Sequence, residues 1–528
     1  MLNEESLLFR RQFVASKKQL SVPLSWEMIP VGNILVHAHP ELNIAVASGK
    51  HAQIVILGDV FDPHSIEFGN QDIAQRLVER IVGFEDFETH SKSLSGRWAC
   101  FVAIGGQVRI YPDAGATHTV YYTAAVENDD EMFLGTQPGV LLEYCGIKKD
   151  PELISQYDNY AWIGWWPGAV TPYKNVKKLL ANHYLDLNTL ESGRFWPKSD
   201  LGSLGLREAA KEIAVLTQNT IRSIAKRSPV YLCLTGGWDS RMLFACSDFD
   251  NPDIHFLSYR FPMMDHHDIA IPEELAKRSN SVLRILELND QDLHNPEVLE
   301  FHKRNSAYMC WMELSCIHSA TRRLPPEFVV LQGIGGESFR RAVGGLGYQR
   351  LFQEGKLESK HFARFGGFEG NDLLIEVLSE WMHRDFPTGT NAYLPALMEI
   401  ENLMGSWSTL LTTGCNTLNS MFTPFNSLEM FELGFRVDIK HRVPPNDLAR
   451  EICRAAAAWV LDYPVNTSRS TEIRKITTKL KQFLPWRVHT AISRKYKEVG
   501  WKQAGLQEHY GMIHDYPPLI AEFMKDVA

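Results

Sequence analysis

The first two hundred residues alternate short apolar stretches with Gly, Pro and Asp. Ile34-Leu35-Val36-His37, Ile44-Ala45-Val46-Ala47, Gln53-Ile54-Val55-Ile56-Leu57, Trp98-Ala99-Cys100-Phe101-Val102 and Gln107-Val108-Arg109-Ile110-Tyr111 have the length and spacing of strands. One helix is predicted over 73–82, where Ile73, Leu77, Ile81 and Val82 fall near helical period. Many strands with few helices predict a layered α+β sandwich over residues 1–197. The pattern then changes. Ile213, Leu216, Thr220 and Ile224 form the apolar stripe of a long helix over 206–227. Predicted strands at 230–234, 254–259, 282–286 and 327–332 alternate with helices at 268–278 and 308–322. That alternation predicts an α/β domain, a parallel sheet covered on both faces, over 198–528. Helices dominate from about 370. The stretch 475–502 mixes Lys and Arg with apolar residues at helical spacing and predicts a solvated amphipathic helix.

Composition narrows the classes. A chain of 528 residues is too long for one core, so two domains are expected. Apolar residues at 45% and charged residues at 22% are ordinary for a globular protein. The net charge of −9 argues against general nucleic-acid binding, which needs a basic footprint. No apolar run reaches membrane-spanning length, and Met1-Leu2-Asn3-Glu4-Glu5 lacks an apolar signal core, so no membrane partner and a cytoplasmic location are expected. The eight cysteines form no CxxC pair and read as buried free thiols. Asp265-His266-His267-Asp268 reads as an acidic helix entrance rather than a zinc site, because no further ligands recur at metal spacing.

The densest chemistry lies in Leu234-Thr235-Gly236-Gly237-Trp238-Asp239-Ser240, between a predicted strand and a predicted helix. Glycines allow backbone N–H groups to approach an anion, and the helix N-terminus adds the positive end of a dipole. The hydroxyls can donate to phosphate oxygens. Asp239 would repel a bare phosphate, so its presence implies Mg²⁺ between them. Val329-Val330-Leu331-Gln332-Gly333-Ile334-Gly335-Gly336-Glu337-Ser338 repeats the plan of strand, glycines and acid. For either loop alone the alternative is a glycine-rich turn that binds nothing.

The first loop resembles the SGGxDS loop of ATP pyrophosphatases of the asparagine synthetase type, with Thr235 in place of the usual serine. The second resembles that family's matching loop, with Glu337 for the usual Asp. The resemblance implies that Asp239 and Glu337 hold Mg²⁺ on the pyrophosphate of ATP. Leu234, Thr235, Gly236, Gly237, Asp239, Ser240, Gly333 and Gly335 would then contact the nucleotide. Leu94-Ser95-Gly96-Arg97-Trp98, Asp113-Ala114-Gly115, Val120-Tyr121-Tyr122, Gly168-Ala169-Val170-Thr171-Pro172-Tyr173 and Arg194-Phe195-Trp196-Pro197 follow in the order of the family's glutamine-hydrolysing, Ntn-type N-terminal domain. That domain uses a cysteine exposed by loss of Met1. Here residue 2 is leucine, and Gly58-Asp59-Val60-Phe61-Asp62-Pro63 stands where the family has Asn-Gly-Glu, so a structural domain without glutaminase activity is expected.

Several positions depart from the family. Ile334 occurs where relatives carry Glu or Tyr, and isoleucine moves no proton. Glu401, in Glu399-Ile400-Glu401-Asn402-Leu403-Met404-Gly405-Ser406-Trp407, is the candidate catalytic acid by position, a solvated helix Glu being the alternative. Thr423-Pro424-Phe425-Asn426-Ser427 resembles the P-F-x-D turn with Ser427 for the acid. The family's charge-steadying lysine has no clean match; Arg469, Arg474 and Lys475 are nearby. The resemblance implies an AMP-forming amide ligase acting on a small-molecule or peptide carboxylate and an amine. A lasso-type peptide macrocyclase, an ammonia-dependent amidotransferase fed by a partner, and a silent scaffold are the alternatives. A homodimer or a biosynthetic partner protein stays open.

Overall fold

The computed structural model describes residues 4–123, 132–157, 166–260, 267–289, 292, 295–307, 312–340, 342–366, 368, 370–384, 386 and 391–465. The predicted helix at 475–502 and the candidates Arg469, Arg474 and Lys475 lie outside the described residues.

The strands of the first half are β1 (Phe13–Ser16), β2 (Glu27–Val31), β3 (Ile34–Ala38), β4 (Ile44–Ser48), β5 (Ala52–Phe61), β6 (Ser95–Ile104), β7 (Gln107–Pro112), β8 (Tyr121–Thr123), β9 (Phe133–Gly135), β10 (Val176–Lys178), β11 (His183–Asp186) and β12 (Ser192–Arg194). They form two six-stranded antiparallel sheets, in the orders β10-β8-β9-β1-β3-β2 and β12-β11-β7-β6-β5-β4. Phe13, Val36, Val55, Phe101, Ile110 and Leu185 come from both sheets and share one buried core. The helices Asn70–Arg80 and Phe84–His90 send Ile73, Leu77 and Phe87 into the core on the other face of the second sheet. Central strands are therefore covered on both sides. This is why β5 and β6 read as continuous apolar runs, whereas the edge strand β4 alternates buried and exposed positions. Gly58 and Gly96 have positive φ, and a Cβ on either would lie within 2.3 Å of a carbonyl oxygen across the β5–β6 ladder.

The second half begins with the helix Leu206–Ala225 and builds a parallel sheet from β13 (Val230–Cys233), β14 (Ile254–Arg260), β15 (Leu283–Glu287), β16 (Val329–Leu331) and β17 (Met421–Phe422). Its order is β15-β14-β13-β16-β17 and every pairing is parallel. The chain steps outward from β13 to β15 on one side, then returns to β16 on the other. The direction reverses between β13 and β16, and in open parallel sheets ligands bind beyond the carboxyl ends of the strands at such a point. Both glycine loops emerge there.

The halves are joined by buried polar contacts. Asn426 Nδ2 donates to the Gly96 carbonyl and to Asp113 Oδ1, each at 2.7 Å. Ser427 Oγ donates to the Lys92 and Ser93 carbonyls at 3.2 and 3.3 Å. The turn at 423–427 is thus a staple onto the first half, and Asn426 and Ser427 are spent there. No helix among the described residues is long and apolar enough to cross a membrane.

Candidate functional site

Two successive hydroxyl contacts shape the loop after β13. Leu234 N–H continues the ladder onto the Leu257 carbonyl at 2.7 Å, and Ser258 Oγ donates to the Leu234 carbonyl at 2.7 Å. The chain then curls so that Thr235 N–H donates to Ser240 Oγ at 3.0 Å and Gly237 N–H donates to Thr235 Oγ1 at 3.2 Å. The two hydroxyls are 2.9 Å apart. Gly237 caps the helix Trp238–Ala245. Gly236 N–H donates to Asp268 Oδ1 at 3.1 Å, from the first turn of the helix His267–Arg278. Of the acidic tetrad only Asp268 has a described side chain. It serves as an internal carboxylate on the very N–H group an anion would seek.

The loop after β16 packs against the first. A Cβ at Gly333 would lie 2.8 Å from the Asp239 carbonyl carbon and the Ser240 nitrogen. One at Gly336 would lie 2.7 Å from Asp239 Oδ1. Both glycines are needed for loop-to-loop contact, a reason beyond anion approach. Gly335 has φ +93°, a left-handed backbone that favours glycine, and its N–H donates to Glu337 Oε2 at 3.2 Å. Thr423 Oγ1 donates to the Ile334 carbonyl and ties the loop to the end of β17. Ser338 is buried, its hydroxyl against Met404 Sδ at 3.9 Å.

The loops are electrically joined as well. Arg340, in the short helix Gly336–Arg340, grips both carboxylate oxygens of Asp239 through Nε and Nη2, the latter at 2.5 Å from Oδ2. Burial works against the guanidinium charge. The hydrogen bond and field of Asp239, with the fields of Glu337 and Glu399, outweigh it and hold Arg340 above its ordinary pKa. One guanidinium thus answers three carboxylates, Asp239 by contact and Glu337 and Glu399 through their fields. Among the described residues no three His, Cys, Asp or Glu side chains gather closely enough to hold a metal by themselves.

Glu401 requires a correction. It is fully buried and bound by Arg194 through both guanidinium arms, with Nη2 at 2.8 Å from Oε2. Trp381 Nε1 donates to it at 2.7 Å and Asn182 Nδ2 at 3.1 Å. Burial would raise its pKa, but Arg194 and the other donors bring it below the usual carboxylate range. It is not the solvated helix Glu of the alternative reading: it braces the helix against β12, with both oxygens occupied by donors. The segment Met398–Ser408 is a π-helix, in which residues two apart point to nearly opposite sides. Glu399, two residues back, is the acid whose field reaches Arg340.

In the first half, β1 is preceded by a packed segment. Phe9 N–H donates to Asn305 Oδ1 at 2.8 Å, and Arg10 Nη1 donates to the Thr417 and Leu418 carbonyls at 2.8 and 3.1 Å. Cys100 is buried in β6 and burial pushes its thiol pKa up, which keeps it unreactive. Residues 58–61 continue β5 rather than forming a loop.

Sequence alone did not single out Arg340, Glu399, Gly336 or the role of Asp268. The Gly335-Gly336 doublet signalled a close approach; nothing in the order of residues aimed Arg340 at Asp239.

No protein-family model matches the chain. No curated protein matches it. Among solved structures it is remotely similar to glutamine phosphoribosylpyrophosphate amidotransferase from B. subtilis, complexed with ADP and GMP. Identity is 9%, the TM-score is 0.22, and 65% of this chain and 72% of that chain are covered. A likeness this remote carries nothing over to the site.

Proposed function

We propose that the chain is an AMP-forming ligase that joins a carboxylate to an amine. The observation that carries this reading is the meeting of two glycine loops, each with an acid, at the reversal point of the parallel sheet. With it goes the finer reading of the fold: an ATP pyrophosphatase of the asparagine synthetase type behind a degenerate Ntn-type sandwich. The packed segment before β1 and the buried Cys100 support a structural role for the sandwich.

In the proposed reaction a carboxylate oxygen attacks the α-phosphorus of ATP and pyrophosphate leaves. The amine nitrogen then attacks the acyl carbon, AMP leaves, and the nitrogen gives up a proton. Loop N–H groups and the Thr235 and Ser240 hydroxyls are the donors for phosphate oxygens. Mg²⁺ suits Asp239 and Glu337, since it takes hard oxygen ligands and is held by one or two carboxylates together with substrate phosphates rather than by a protein cage. Bound there, it would neutralise phosphate charge. Arg340 must release Asp239 for that, and the freed guanidinium becomes the cation of the site. Glu399 takes the place first given to Glu401 as the helix acid on the loop side.

A catalytically silent scaffold is the second reading, because Arg340 already satisfies Asp239 and Asp268 already satisfies the Gly236 N–H. Calorimetry with Mg·ATP separates the two. The ligase reading expects saturable binding that Asp239→Asn weakens about tenfold or more, the scale of a lost charge-assisted contact. It also expects ATP–pyrophosphate exchange with one member of a carboxylic acid panel. No heat and no thermal shift with Mg·ATP would leave the scaffold.

A further inference from the structure

Away from the loops, a cavity of about 340 Å³ opens between the β10–β12 edge of the sandwich and the helix Asp372–His383. Its volume is at the lower end for small-molecule sites. Leu153, Val170, Leu180, Val377 and Trp381 supply apolar wall. Lys178, at the end of β10, lines it and is 2% exposed.

The charges around this cavity do not balance locally. At the rim stand two acids, the half-buried Asp150 and the exposed Glu380, and two exposed cations, Lys177 and Arg384. Arg194 is neutralised by Glu401. Burial, then Arg194, lowers His183 to about 4, so its imidazole is neutral at pH 7, with Nδ1 2.8 Å from the Ala181 carbonyl. Lys178 has no compensating charge among the described residues. Its Nζ donates to Ser406 Oγ, and no carboxylate among the described residues pairs with it. Ser406 in turn donates to the Trp166 carbonyl at 3.4 Å. Burial alone lowers Lys178 to about 7, because nothing nearby offsets its charge. A buried cation without a counter-ion is costly, and an anion brought to it would offset that cost.

We propose that this cavity binds a small carboxylate with an apolar body, its carboxylate taken by Lys178 and its body by the Trp381–Val377–Leu180 wall. The site is independent of the glycine loops and of the ligase reading. Carboxylate binding supplies the absent counter-ion, so it draws a proton onto the amine.

The test uses benzoate as probe with the full-length protein, by calorimetry at pH 7 in two buffers of different ionisation enthalpy. Saturable binding with net proton uptake is expected, since burial lowers the amine to about 7 and leaves it only partly charged at that pH. Lys178→Met should weaken benzoate about tenfold or more. Lys178→Arg, permanently charged, should retain binding without proton uptake. Thermal unfolding checks that both variants fold. Absence of benzoate binding, binding that survives Lys178→Met, or binding with no proton uptake in the wild type would each overturn the proposal.

Discussion

Arg340 and Asp239 close the two glycine loops on each other: a guanidinium from the second loop's helix holds both oxygens of the first loop's acid. The guanidinium is the counter-charge to three carboxylates, since Glu337 and Glu399 act on it as well as Asp239. Removing Arg340 leaves those acids without their shared cation. Arg340→Ala is therefore expected to lose stability. The pair is 17% exposed on each side, so the loss should fall below that of a fully buried pair, at about 1–3 kcal/mol. Millimolar Mg²⁺ should restore part of the loss in Arg340→Ala and not in the double variant Arg340→Ala/Asp239→Asn. Urea unfolding with and without Mg²⁺ measures both. A Mg²⁺-insensitive Arg340→Ala protein would show that the acids make no cation site.

Glu399 and Glu401 should separate cleanly. Glu401→Ala strands the buried Arg194 and is expected to cost about 3–5 kcal/mol, with nucleotide affinity unchanged in the protein that remains folded. Glu399→Gln should keep most of the stability and change Mg·ATP affinity, because its field acts at Arg340. Denaturation and calorimetry on the two variants decide this. The reverse pattern would return Glu401 to the site.

The loop contact can be forced apart. Gly336→Ala would place a Cβ 2.7 Å from Asp239 Oδ1, and Gly333→Ala would place one 2.8 Å from the Ser240 nitrogen. Overpacking of this kind costs about 1–3 kcal/mol. Each variant is expected to unfold at lower temperature and to bind Mg·ATP more weakly than the wild type. Gly347→Ala, in the nearby helix Gly345–Gln353 with nothing within 4 Å of its added Cβ, is the control and should do neither.

What the order of residues made legible follows from range. Strands buried on both faces, such as β5, β6 and β13, carry their own signal in β-branched and apolar runs, and the predicted spans fall within a few residues of them. The two loops were legible because glycine, hydroxyl and acid are adjacent in the chain. Short edge pieces escaped: β17 is two residues long and exists because β16 offers it a ladder. So did every relation that needs two distant segments. Arg340 meets Asp239 across 101 positions, and Glu401 meets Arg194 across 207. Glu401 and Glu399 stand two residues apart on one helix, one bound by Arg194 and the other with its field at Arg340. Only the direction in which each carboxylate points decides that.

Lys178 gives the protein a pH signature. Its pKa is held near 7 in the folded chain against the ordinary 10.5. Below about pH 7 the amine is protonated whether the chain is folded or unfolded, so the full cost of burying the charge bears on the native state. Between these two values the unfolded chain binds a proton the folded one lacks. Stability attributable to this group therefore rises with pH at up to about 1.4 kcal/mol per unit. Lys178→Met removes the group, so its advantage over the wild type should be greatest near pH 6 and shrink steadily toward pH 9. Taking the difference between the two proteins cancels the titration of the buried thiols and tyrosines they share. Urea unfolding at half-unit steps from pH 6 to 9 gives the curve. A difference that stays flat would mean that Lys178 is charged throughout in the folded protein, with a counter-ion already beside it.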